Sequence, residues 1–220
     1  MKTDDAIFDL IGQLSSDLKP VRVQASPVLF SAWLGTVCFF VSLIGVFVLS
    51  PRSDILASVL NNRFFMGDVI FSLGLLFSSL MLSGWLSSPG RPGGRIYFIA
   101  CLIFGVLVFA SLFVRIFGLT AEQSKAGLDL VTGENCLFAT FAFAFVASMI
   151  IGIAVRKRAS VRPALTGIAV GCAGLGAGGL AITLHCGSDN GLHIALWHFL
   201  LPGVLSALVG YSLGKKILRW

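Results

Sequence analysis

The sequence predicts an all-α, polytopic membrane protein, six transmembrane helices preceded by an amphipathic one, and three observations carry that prediction. Of its 220 residues 56% are apolar and only 12% charged, and the mean hydropathy is +0.93, far from the balance of a soluble globular domain. Apolar runs of about 20 residues, enough to cross about 30 Å of hydrocarbon, recur near residues 28–49, 65–86, 96–117, 137–155, 164–184 and 192–214. Alternating apolar and polar segments of the kind that build a membrane barrel are missing, and in lipid only helices or a closed barrel leave no backbone group unpaired. The chain thus divides into a cytoplasmic segment (1–27), a six-helix membrane domain (28–214) and a basic cytoplasmic tail (215–220).

The opening element is polar and patterned. Thr3 can cap a helix whose first turn holds Asp4 and Asp5, carboxylates suited to the positive end of its dipole. Ile7, Leu10, Ile11, Leu14 and Leu18 then recur at helical spacing, and Lys19 before Pro20 ends the run. Asp4, Asp5, Asp9 and Asp17 interrupt the segment, so it is not expected to be a signal peptide. Surface-seeking helices carry Lys and Arg on their polar face, whereas this one carries four Asp against Lys2 and Lys19, which anionic lipid repels. A groove on a partner protein suits it better; the alternative is a lid on the chain's own loops.

The spans alternate between basic and neutral loops. Lys2, Lys19 and Arg22, then Arg91 and Arg95, then Arg156, Lys157, Arg158 and Arg162, and finally Lys215, Lys216 and Arg219 fall on one side and hold twelve of the sixteen basic residues. By the positive-inside rule both termini are cytoplasmic. The net charge of +6 therefore sits where topology puts it, and no nucleic-acid partner is needed. Asp68 and Arg115, near the outer ends of the second and third spans, are expected to pair or snorkel as structural groups.

Cys38, Cys101 and Cys172 lie at lipid depth and read as small apolar side chains. Cys136 and Cys186 lie at the predicted outer face, Glu134 two residues before the first, and His185, Asp189 and His193 close to the second. One reading is a structural disulfide. The other is a thiol sensor in which Cys136, Cys186 and His185 respond to oxidants or transiently hold a soft or borderline ion such as Zn or Cd. No CxxC or HxxxH spacing supports a resident metal, and no cofactor is expected.

In the fifth span Gly167, Gly171, Gly174 and Gly178 are spaced for close helix approach on one face. If that helix slides when the thiols react, Gly171→Leu should uncouple sensing while leaving insertion intact. In the sixth span Trp197 suits an interfacial belt. His198 is either a neutral, hydrogen-bonded histidine or a functional group.

Both ends of the chain resemble one family. MKTDDAIFDLIGQLSSDLKPVR is similar to the amino-terminal signature of the NrsF family of bacterial membrane anti-sigma factors. LHCGSDNGLHIALWH resembles that family's His-Cys loop and following Trp, and LGKKILRW its basic, Trp-terminated tail. The resemblance implies a protein that sequesters an extracytoplasmic-function (ECF) sigma factor of the sigma F type at the inner membrane and releases it on a signal. It further implies that Ile7, Leu10, Ile11, Leu14 and Leu18 fill a groove on the sigma factor while Asp4 and Asp17 meet its basic surface. Cys136 and Cys186 fall where the family's paired outer-face cysteines are expected, and these are implied in responding to heavy-metal ions or oxidative stress. The implied partners are the sigma factor, the lipid bilayer and metal ions as the signal.

A small six-helix transporter or channel is the main rival, but it would usually show mid-membrane charges, broken helices or internal repeats. A thiol oxidoreductase would want a CxxC motif. No phosphate loop, nucleophile elbow or HExxH site occurs, so no enzyme is expected.

Overall fold

The computed structural model describes residues 12, 13, 15, 26–88, 94–158 and 160–218, and over these residues no strand occurs. From Pro27 onward the helices are α1 (Pro27–Leu49), α2 (Ile55–Asn61), α3 (Arg63–Leu86), α4 (Gly94–Ile116), α5 (Ala121–Gly127), α6 (Leu130–Arg156), α7 (Pro163–His185) and α8 (Gly191–Ile217). All but the short α2 and α5 are long and apolar enough to cross a membrane. These six apolar helices mark a membrane protein.

Helix starts follow local chemistry. Pro27 and Pro163 open α1 and α7 in the first turn, where the missing N–H would have no intrahelical partner. Ser26 Oγ accepts from Leu29 N at 3.2 Å, and Asn62 Oδ1 accepts from Phe64 and Phe65 N at 3.1 and 3.2 Å. Asp129 caps α6 through Val131 and Thr132 N, so α6 begins well before the predicted span and carries Cys136 inside the helix. A capping box joins Thr120 to Gln123 at the start of α5. Neither α2 nor α5 is visible as a hydrophobic run, because each is a short polar or mixed segment.

The bundle has two chemically different ends. At one, the cysteine end, Arg52 N donates to Leu184 O (3.2 Å) and Asn190 Nδ2 to Gln123 O (2.7 Å). These bonds tie the loop after α1 to the end of α7, and the loop after α7 to α5. At the other, the basic end, Val161 N donates to Leu86 O (3.2 Å), and the Arg158 guanidinium lies 4.2 Å from the Phe30 ring centroid.

Helix α7 forms the centre, packed by α1, α3, α6 and α8. Its glycines do not line one face as the spacing suggests; they divide among neighbours. A Cβ at Gly167 or Gly171 would strike the backbone of Gly210 or Ser206 in α8, and one at Gly174 or Gly178 the backbone of Ala144 or Thr140 in α6. Gly176 meets Leu76 N and Ser72 O of α3, at 2.6 and 2.7 Å from such a Cβ. Backbones can approach this closely only where side chains are missing. Around α7, Leu34, Cys38, Leu76, Leu80, Ala147 and Ile151 are fully buried.

Candidate functional site

The site begins with a fault in a helix. α8 starts with Asn190 capping Leu192 and His193 N through Oδ1, at 3.0 and 3.2 Å. From Ile194 to Leu200 it then winds as a π-helix before resuming α-helical form at Leu201. In an α-helix, residues five apart stand about 140° from one another around the axis, but the i→i+5 repeat of a π turn brings them onto one side. His193 and His198 are five apart, and their rings meet edge to face at 5.5 Å between centroids.

The two histidines meet the two cysteines there. Cys136 Sγ, from α6, donates to Cys186 Sγ at 3.8 Å, and Cys186, which caps α7, lies 4.0 Å from His193 Nε2. One donor atom from each of Cys136, Cys186, His193 and His198 falls within 4.8 Å of the others. All five cysteines are unbridged thiols. Both histidines are buried, and neither ring nitrogen of His198 has a hydrogen-bond partner. The bond from Cys136, opposed by desolvation and helped by the neighbouring histidine rings, holds the Cys186 thiol below its ordinary range.

His185 does not join this cluster. Its Nδ1–H donates to the carbonyl oxygen of Ser50 at 2.6 Å; a carbonyl can only accept, so the tautomer is fixed. Ser50 has φ 72°, an unusual backbone for a residue with a Cβ. Sequence proximity to Cys186 suggested His185 as a ligand, but a residue ending α7 faces differently from the residue that caps it. Glu134 is exposed, and Asp189 lies 3.7 Å from Arg52; neither enters the cluster. Sequence reasoning placed His193 near Cys186 and noted His198 separately without joining the two; the π segment relates them.

Arg52 holds the cysteine loop in place. It donates to Cys186 O at 3.1 Å and, through two nitrogens, to Asp54 at 2.6 and 2.7 Å. This bond holds the Asp54 carboxyl well below the usual range and the Arg52 guanidinium above its own. Deeper in, Arg115 and Asp68 form a buried two-bond pair at 2.6 and 2.9 Å, as the sequence anticipated. Trp197 faces the protein interior. It is buried, packs against Gly133 and donates to Gly127 O at 3.1 Å, tying α8 to α5.

The sigma-binding positions read from the sequence, Asp4, Ile7, Leu10, Ile11, Leu14, Asp17 and Leu18, lie outside the described residues. Of the same segment, Gly12, Gln13 and Ser15 are described, and they are helical and exposed.

A family model described as NrsF, negative regulator of sigma F, matches residues 14–220. The chain is 29% identical to the anti-sigma-F factor NrsF of Caulobacter vibrioides over the full length of both chains. It is 25% identical to a probable anti-sigma-F factor NrsF of Azospira oryzae, again over the full length of both. No solved structure matches. The match takes in the helical bundle and the thiol-imidazole cluster, and the chain belongs to the NrsF family of negative regulators of sigma F.

Proposed function

We propose that this chain holds an ECF sigma factor of the sigma F kind at the bacterial inner membrane, with both termini cytoplasmic, and releases it when a heavy-metal or oxidative signal reacts at Cys136 and Cys186. The family match supports the regulatory role. The observation that carries the signalling part is the thiol pair, 3.8 Å apart at the end of the bundle opposite the start of α1. Residues 1–27 act as the sigma-binding segment: Ile7, Leu10, Ile11, Leu14 and Leu18 fill an apolar groove, and Asp4 and Asp17 pair with basic groups on the sigma factor. His185 contributes by orienting the loop that carries Cys186, through its bond to Ser50.

Helix α7 joins the two ends, since it is capped by Cys186 and begins at Pro163 in the basic loop. Chemistry at the thiols biases how α7 sits among α3, α6 and α8, and the altered basic end presents the opening segment poorly. To move the bundle from 1:99 to 99:1 between two arrangements, the signal must favour one by about 5.5 kcal/mol.

The test is capture of the sigma factor by tagged full-length protein in mild detergent, beside a version lacking residues 2–20. Capture that depends on those residues is the expected result. Loss of capture with the full-length protein, or capture that ignores the deletion, refutes the assignment. A sigma-F-dependent reporter should lose its response to Cd(II) in Cys136→Ser and Cys186→Ser strains.

A further inference from the structure

The thiols do not stand alone. We infer that Cys136, Cys186, His193 and His198 form a closed four-ligand site for one divalent cation of the zinc group, with the π segment of α8 supplying His198 and bringing it beside His193. This deepens the reading above by naming the ligand set and the cation class, and it rests on that reading only for its regulatory consequence.

Geometry is the first support. Ligand atoms about 2.0–2.3 Å from a tetrahedral ion stand roughly 3.3–3.8 Å apart. The two sulfurs are 3.8 Å apart, Cys186 Sγ is 4.0 Å from His193 Nε2, and all four donors lie within 4.8 Å. Only a small contraction separates this arrangement from coordination. Two sulfurs and two imidazole nitrogens in a tetrahedron suit zinc and its heavier relative cadmium, and do not suit magnesium or calcium.

The second support is His198. It is 2% exposed, and neither of its ring nitrogens has a hydrogen-bond partner. A neutral imidazole carries one donor and one acceptor, and leaving both unpaired in a buried place is costly. A metal bound to one nitrogen removes half of that cost. The π segment is a third, independent sign, since such turns are rare and concentrate at functional sites; without it, residues five apart would diverge.

Charge closes the case. On binding, each thiol loses its proton to water, and the two thiolates cancel the ion's two positive charges while the histidines stay neutral. A neutral complex is what a half-buried site at the edge of lipid tolerates. Asp68 cannot interfere, because Arg115 holds both of its oxygens. A cavity of about 150 Å³, walled by Asn62, Asp68, Thr183, Asp189 and His198, leads to the cluster.

The experiment titrates purified full-length protein, reduced and in mild detergent, with Co(II) as the spectroscopic probe, followed by displacement with Zn(II). Wild type should take up one equivalent, with the intense visible bands of tetrahedral cobalt and sulfur-to-cobalt charge transfer. His193→Ala and His198→Ala should lose those bands and weaken binding by more than about 100-fold, beyond the 10–100-fold of an outer-shell change. Glu134→Ala, at an exposed residue outside the cluster, should bind as wild type does. His198→Cys keeps a ligand and should restore tetrahedral binding with added charge-transfer intensity, which answers the case in which the alanine variant fails to fold. Gel-filtration elution without metal reports folding for each. Absence of binding, a weak octahedral spectrum, or unchanged affinity in both folded alanine variants overturns the site. Tetrahedral binding alongside a sigma-F reporter indifferent to Zn(II) and Cd(II) upholds the site and overturns the signalling role given to it above.

Discussion

α7 and α4 are both 23 residues long, and the more hydrophobic of them is the one on the outside. In α7, 83% of the most apolar stretch is buried; in α4 the share is 11%. Water-soluble proteins sort the other way. In lipid the acyl chains are as apolar as leucine, so burying a leucine gains little, and the centre goes to the helix whose backbone others can approach. α7 offers Gly167, Gly171, Gly174, Gly176 and Gly178 to three neighbours, whereas α4 turns Ile96, Val106, Phe109 and Phe113 outward. With so little close packing, α4 depends on particular contacts with α3, above all Arg115 with Asp68.

The largest effect should come from cutting that pin. Asp68→Ala leaves the Arg115 charge buried without its partner, and breaking a buried pair on one side costs about 3–5 kcal/mol. Unfolding in mixed micelles should show the loss, and Asp68→Ala combined with Arg115→Met should recover most of it. If the single change left stability untouched, α4 would be held by packing after all and the contrast with α7 would fail.

Close packing in α7 is the next to break. Gly176→Ala puts a methyl within 2.7 Å of the α3 backbone, where no flexible side chain can yield, and overpacking of this kind costs about 1–3 kcal/mol. Gly105→Ala in α4 meets nothing within 4 Å and should not destabilise. The pair of variants, measured by the same unfolding assay, tests the sorting rule directly. Gly171→Leu belongs with the first of them. Its Cβ would strike the carbonyl of Ser206, so a loss of sensing there would reflect separation of α7 from α8 rather than blocked sliding.

The six spans were legible because hydropathy and length report lipid crossing, and their ends needed only the caps to refine them. The ranking of helices from centre to edge was not, since hydropathy runs against it; the glycines of α7 were noticed, but helical spacing alone could not say that they serve three neighbours. At the site, Cys136 and Cys186 were found from their depth. His185 was grouped with them by adjacency, yet its ring bonds Ser50. His193 and His198 were each noticed and never joined, because a spacing of five is a mismatch in any regular α-helix.

A smaller effect separates the two ways α7 is held. Ser42 Oγ of α1 donates to Ala177 O at 2.9 Å, a buried hydrogen bond from a side chain to the α7 backbone. Ser42→Ala should cost about 0.6 kcal/mol, the average for such bonds in a membrane protein. A cost several times larger would mean that polar bonds, more than glycine contacts, centre α7.

The smallest effect concerns the pin at the far end of α7, and it differs in kind from the one on α4. Arg52 bonds Leu184 O and Cys186 O while its charge is met by Asp54, whose side chain is 51% exposed; the carboxylate of the α4 pin is 5% exposed. The hydrogen bond from Arg52 lowers the Asp54 pKa in the folded protein. A lowered folded value means that the pair contributes fully above the unfolded carboxylate pKa of about 3.9 and loses its contribution as pH falls through the folded value. The difference in melting temperature between wild type and Asp54→Asn should therefore be flat from pH 7 to about pH 5 and shrink below it. Added salt should shrink it as well, since exposed charges are screened, while the Asp68→Ala loss should hardly respond to salt. A salt response shared equally by both pairs would show that the α4 pin is as wet as this one, and burial would no longer distinguish them.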